Sequence, residues 1–132
     1  MRTVGVLGGM GPEATIYFMQ QIVASIPAKD DVDHIPLLVD NNTQVPSRIK
    51  AIIEGTGEDP GPILAQMAER LVAAGAEALV MPCNTAHFYA DQIEGATDKP
   101  FLNMVSMSCR EAARVAPGGK VESRSAFGRS FI

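Results

Sequence analysis

Cys83 stands in the run Pro82-Cys83-Asn84-Thr85-Ala86-His87, directly after the apolar stretch Ala78-Leu79-Val80-Met81. A thiol at that place can act as a nucleophile, a metal ligand or a proton carrier, because the unsatisfied N–H groups and dipole of a following helix favour the thiolate. His87, four residues on, allows a thiolate–imidazolium pair or half of a metal site. The metal reading is set aside on arithmetic: zinc takes three or four protein ligands or two Cys/His pairs, and neither His34 nor Cys109 forms a second pair. His87 is expected to pack or cap near the thiol, where it can also tune it electrostatically. On its own, the run also fits an inert buried cysteine at the end of a core strand.

Two other stretches hold residues suited to a small anionic ligand. Arg48 follows Pro46, which fixes the local backbone, and its guanidinium can grip a carboxylate through two parallel hydrogen bonds. It can equally be a solvated arginine paired with Glu54. Asn42 and Gln44 either line the same pocket or cap their own loop. Met10 and Gly11 fall in Gly8-Gly9-Met10-Gly11-Pro12, where glycine permits close approach of backbone to ligand and where a tight turn without ligand is also sufficient. Gly9 to Ala14 fits the dinucleotide pattern G-x-G-x-x-A as well. Against that, Pro12 removes an N–H that would face the pyrophosphate, and Asp40 lies beyond the ~20 residues at which a ribose-binding acid is expected.

The elements that would position these loops read as alternating strands and helices. Thr3 to Leu7 is a short buried strand. Pro12 suits a first helical position, with Ile16, Met19, Ile22, Val23 and Ile26 at helical spacing and Pro27 as the stop. Ile35 to Val39 is a second strand opening into Asp40-Asn41-Asn42. A short helix spans Ser47 to Glu54, and an amphipathic one runs from Ile63 to Ala74, with Leu64, Met67, Leu71 and Val72 on one stripe and Gly75 after its end. Ala78 to Met81 is a third strand. Asn84 or Thr85 can cap a helix beginning there, Phe101-Leu102 is a brief fourth strand, and Met104 to Val115 is helical. Such alternation predicts an α/β fold: a single three-layer domain with a mostly parallel sheet, and ligands gathered at the C-terminal ends of the strands.

Composition agrees with a folded domain that binds something small. The 132 residues are 46% apolar with net charge −4. A domain of this size buries roughly two-thirds of its unfolded surface, so Cys83 and Cys109 are not needed as a staple. The eleven basic residues are scattered, which argues against nucleic acid. No apolar run approaches the ~20 residues of a membrane span, and the start lacks a signal-peptide pattern, so a cytoplasmic location without membrane association is expected.

Taken together, Gly8-Gly9-Met10-Gly11-Pro12-Glu13-Ala14-Thr15, Asn42-Thr43-Gln44-Val45-Pro46-Ser47-Arg48 and Met81-Pro82-Cys83-Asn84-Thr85-Ala86-His87 resemble the aspartate racemase branch of the aspartate/glutamate/hydantoin racemase superfamily, over about residues 3 to 120. The resemblance implies one half of a fold in which two similar α/β domains face each other and each gives one cysteine, without pyridoxal phosphate, metal or other cofactor. It implies Cys83 as a catalytic thiol, Arg48 as the holder of an acidic side chain, and Met10, Gly11, Asn42, Gln44, Asn84 and Thr85 as substrate-binding positions. The partner is then an amino acid, aspartate or glutamate. Moving a proton from one face of Cα to the other needs an acid/base group on each side, and the amides of Asn84 and Thr85 can receive the α-carboxylate as charge grows on it.

The likeness stops where a second domain would begin. Near Lys120-Val121 the sequence passes into the aperiodic tail 121–132, which is expected to mark a truncated or frame-shifted reading. The expectation is therefore an amino-acid racemase in lineage, weak or inactive alone because it carries one of two thiols. The competing readings are a dinucleotide-binding α/β domain and a non-catalytic remnant that binds acidic amino acids. Self-association into a homodimer stays open.

Overall fold

The computed structural model describes residues 1–116 and 118. The tail read over 121–132 lies outside the described residues. Three parallel strands form the sheet: β1 (Val4–Gly8), β2 (Leu37–Asn41) and β3 (Ala78–Val80), in the order β2-β1-β3. Val6 pairs with Val39 on one side and Val80 on the other. The brief fourth strand is a single parallel bridge, Leu79 with Phe101, closed by Leu79 N to Pro100 O and Leu102 N to Leu79 O.

Helix α1 spans Pro12–Ser25, α2 Gly61–Ala73, α3 Ala90–Ala96 and α4 Met104–Val115. Leu64, Met67, Ala68 and Leu71 of α2 are all buried, at the spacing of one helix face, against Leu7 and Leu79 of the sheet. Each large side chain so buried contributes about 1.5–3 kcal/mol. Gly75, with φ 112°, reverses the chain after α2, and Ala76 N and Gly75 N bond back to Leu71 O and Val72 O. This α2 begins two residues earlier than its apolar stripe suggests, because Asp59 Oδ1 accepts from Gly61 N and starts the turn.

The layering follows from strand alternation. A Cβ on Gly5 would press on Leu71 and Ala76, so that face carries α2, with α3 packed on α2. A Cβ on Gly8, three residues on and therefore on the opposite face, would press on Thr15 of α1. The predicted apolar stripe of α1 faces inward only in part: Met19, Ile22 and Ile26 are half-buried, Ile16 and Val23 are 57% and 53% exposed, and Thr15 is the helix's one buried residue. Its anchor is polar, as Thr15 Oγ1 accepts from Gly9 N at 2.9 Å and donates to Gly11 O at 3.2 Å. The short helix read from Ser47 forms as a wide turn, Lys50–Glu54, ended by Gly55. Among the described residues, no helix is long and apolar enough to cross a membrane.

Candidate active site

The C-terminal ends of the three strands deliver three loops to one edge, and the first two touch through their backbones. Asn42 N donates to Gly8 O at 3.1 Å. Gly9 has φ 95°, and a Cβ there would collide with the Asn42 main chain. Glycine is thus required on both steric and conformational grounds. Met10 is buried in the central core cluster together with Val45 of the second loop and Met81 of the third, and Cys83 packs against that cluster from its edge. The sequence motifs are therefore gathered in space.

Within the second loop, Asn42 Oδ1 accepts from Gln44 N at 3.0 Å, and Gln44 Nε2 donates to Thr43 Oγ1. Both side chains serve the loop's own geometry here, and Gln44 is exposed. Arg48 is neither free in solvent nor paired with Glu54. Its Nη1 donates to Val45 O at 3.2 Å and Pro46 O at 3.1 Å, while Nε is buried without an acceptor among the described residues. Nη1 is thus committed to the loop's own carbonyls, while the buried Nε keeps an unmet hydrogen-bonding capacity, which costs free energy.

In the third loop, Cys83 is half-buried and its Sγ lies 3.3 Å from Thr85 Oγ1. Its N–H donates to Met81 O at 2.7 Å. The expected side-chain cap does not form: Asn84 precedes a tight 3-10 turn, Thr85–Tyr89, with no cap hydrogen bond. The Thr85 hydroxyl is turned to the thiol instead. His87 is buried, with Nδ1 2.7 Å from Cys83 O, and burial lowers its proton affinity below the ordinary histidine value. No group of three or more Cys, His, Asp or Glu residues able to hold a metal occurs among the described residues.

Tyr89 was not singled out by sequence. Burial, then the nearby Asp59 carboxylate, raise its phenol above the ordinary tyrosine value, while Arg48 acts in the opposite direction. Tyr89 lines a cleft of about 520 Å³ together with Ile52, Asp59, Phe88, Asp91 and Gln92. Cys83 and Arg48 do not line that cleft, and carboxylates at its wall oppose an acidic ligand. Thr15 was also missed as a structural residue; a threonine four residues after Gly11 in a first helical turn was its only signal.

The structure weighs further against the dinucleotide reading. Gly9 N–H is committed to Thr15 rather than facing outward, and Asp40 pairs with Arg70 at 2.6 Å. What remains is a parallel α/β domain carrying a thiol, a hydroxyl and a guanidinium at the C-terminal edge of its sheet. The chain belongs to the Asp/Glu/hydantoin racemase family, whose model matches residues 7–122. It is similar to the broad specificity amino-acid racemase RacX of Bacillus subtilis (strain 168), 28% identical over 121 residues, covering 82% of this chain and 48% of that protein. Among solved structures it matches the aspartate racemase of Picrophilus torridus at TM-score 0.80 and 30% identity, covering 87% of this chain and 48% of that one. An aspartate racemase homologue from Pyrococcus horikoshii OT3 shares the fold at TM-score 0.67 and 22% identity, with 89% and 50% covered. The chain spans about half the length of these relatives.

Proposed function

We propose that this domain provides one side of a cofactor-independent racemase site for aspartate or glutamate, with Cys83 as the acid/base that moves the Cα proton on that side. The observation that carries the reading is the half-buried Cys83 Sγ, in reach of the Thr85 hydroxyl and packed on the cluster that also holds Met10 and Val45. A thiolate formed there accepts a hydrogen bond from Thr85, which stabilises the charge. Arg48, held by Val45 O and Pro46 O through Nη1, would give its other guanidinium N–H groups to the substrate's side-chain carboxylate. The first N–H groups of the turn at Asn84 and Thr85 have no intrahelical acceptor and are suited to the α-carboxylate, whose charge increases as the enediolate forms. Met10, Gly11, Asn42 and Gln44 would shape the floor between them.

A proton taken by Cys83 must be replaced from the opposite face for inversion to occur. Cys109 is half-buried in the middle of α4, away from the three loops in sequence, and this reading assigns the second acid to a group outside the described residues. By itself the domain is expected to exchange the Cα proton of one aspartate enantiomer with little inversion. Incubation of each enantiomer in deuterated water, read by mass spectrometry and chiral chromatography, tests this. Exchange abolished by Cys83→Ala supports the reading, and no exchange with either enantiomer removes it. Rapid inversion would mean that a second acid is already present.

A further inference from the structure

The turn that carries Cys83 is wound more tightly than an α-helix, and the structure shows what takes up the backbone bond lost in that winding. His87 N donates to Asn84 O at 3.1 Å. In an α-helix the same N–H would reach one residue further back, to Cys83 O. The His87 ring supplies that bond instead, with Nδ1 2.7 Å from Cys83 O. On the other side of the ring, Nε2 accepts from Met104 N at 3.3 Å. That N–H is the first of α4 and has no intrahelical acceptor. The Asn103 side chain serves the next two, from Val105 and Ser106.

These contacts assign the ring's state. A carbonyl at Nδ1 requires N–H there, and a backbone N–H at Nε2 requires a lone pair there, so the ring is the neutral Nδ1–H tautomer. The ring is 1% exposed and lies 5.5 Å from the Phe101 ring, a setting that disfavours the imidazolium. With Cys83 N–H bonded to Met81 O, both backbone polar groups of the cysteine are tied, one to the strand end and one to His87.

We propose that His87 is the positioning residue for Cys83: a neutral imidazole that fixes the thiol-bearing backbone by bracing it against the start of α4. The proposal rests on the reading of Cys83 as the proton-transferring thiol, and it assigns the four-residue spacing to bracing rather than to a charged pair or a metal site. His87 acts through its Nδ1 bond to the Cys83 carbonyl, so the two amide substitutions separate its two contacts. His87→Asn places an amide nitrogen near the Nδ1 position, and His87→Gln reaches only the Nε2 position.

Two measurements test the proposal. Long-range proton–nitrogen NMR of the labelled chain should show the Nδ1–H tautomer for His87 at neutral pH; an Nε2–H or charged ring overturns the proposal whatever the variants do. Iodoacetamide labelling with peptide mapping then gives the Cys83 to Cys109 rate ratio. His87→Asn should keep that ratio within about twofold, whereas His87→Gln and His87→Leu should change it about fivefold or more, since a reactive group loses its geometry when its support is removed. A folded His87→Gln chain with the wild-type ratio overturns the proposal. Aspartate added to the wild-type labelling tests the catalytic reading separately: failure to slow Cys83 removes that reading and leaves the tautomer and the ratio to decide the role of His87.

Discussion

Arg70 of α2 donates through Nη2 to Asp40 Oδ2 at 2.6 Å, so the acid at the end of β2 is directed onto the helical layer rather than toward the loops. Its register explains this: Asp40 pairs with Leu7 in the sheet, and Leu7 faces the same cluster as α2. The Arg70 side chain is 58% exposed, and exposed pairs contribute about 0–1 kcal/mol. Asp40→Asn is therefore expected to lower unfolding stability in urea by less than about 1 kcal/mol. Titration with NADH should give no binding signal for either chain. Saturable NADH binding lost in Asp40→Asn would restore the dinucleotide reading.

For Arg48 the expectation concerns selectivity. Lysine keeps the charge but loses the planar fork, and it cannot brace against Val45 O and Pro46 O while presenting a second edge. Arg48→Lys should weaken aspartate or glutamate binding by about tenfold and leave a neutral amino acid nearly unchanged. Calorimetric titration with both ligand types checks this. Equal losses for acidic and neutral ligands would take Arg48 out of the pocket.

The hydroxyl of Thr85 invites an isosteric test. Thr85→Val keeps the shape beside Cys83 Sγ and removes the partner at 3.3 Å. Alkylation of Cys83 near neutral pH should slow by about three- to tenfold, because the reacting sulfur loses the hydroxyl that contacts and orients it. Cys109, measured in the same digest, should be unaffected. An unchanged Cys83 rate would make the contact incidental.

His87 should leave a signature in the pH dependence of stability. Burial lowers its proton affinity in the folded chain relative to the ordinary value of 6.5, against a smaller opposing effect from its bond to Cys83. The unfolded chain therefore takes up this proton first as pH falls. The stabilisation is fully present above pH 6.5 and is lost as pH falls through the lower folded-state value. Wild-type stability should decline on acidification with a contribution of at most about 1.4 kcal/mol per pH unit from this site. Urea melts of wild type and His87→Asn across that range isolate the contribution by difference. Parallel curves would show that His87 does not titrate differently on folding.

Much of the architecture was legible in the sequence because it rests on local signals. The stripe of Leu64, Met67 and Leu71, the stop at Gly75, and helix α4 over Met104–Val115 all follow from periodicity and backbone preference. Where local reading misled, tertiary context was responsible. Ile16 and Val23 have the spacing of a buried face, yet α1 docks by Thr15 through hydrogen bonds to a glycine turn, a contact that hydrophobic periodicity cannot report.

The same division holds at the site. The residue types that can do this chemistry were fixed by the chain itself: a cysteine after a strand, an arginine following a proline, and glycines at the first turn. Their roles depend on partners distant in sequence or brought close by an unusual turn, and only the tertiary structure supplies those. Arg48 is braced by carbonyls of its own loop, Asp40 is drawn to Arg70 thirty residues away, and His87 is shared between Cys83 O and the first N–H of α4. Side-chain chemistry is a property of the residue. Which atom of that side chain remains available for substrate is decided by the backbone groups that packing leaves unsatisfied around it.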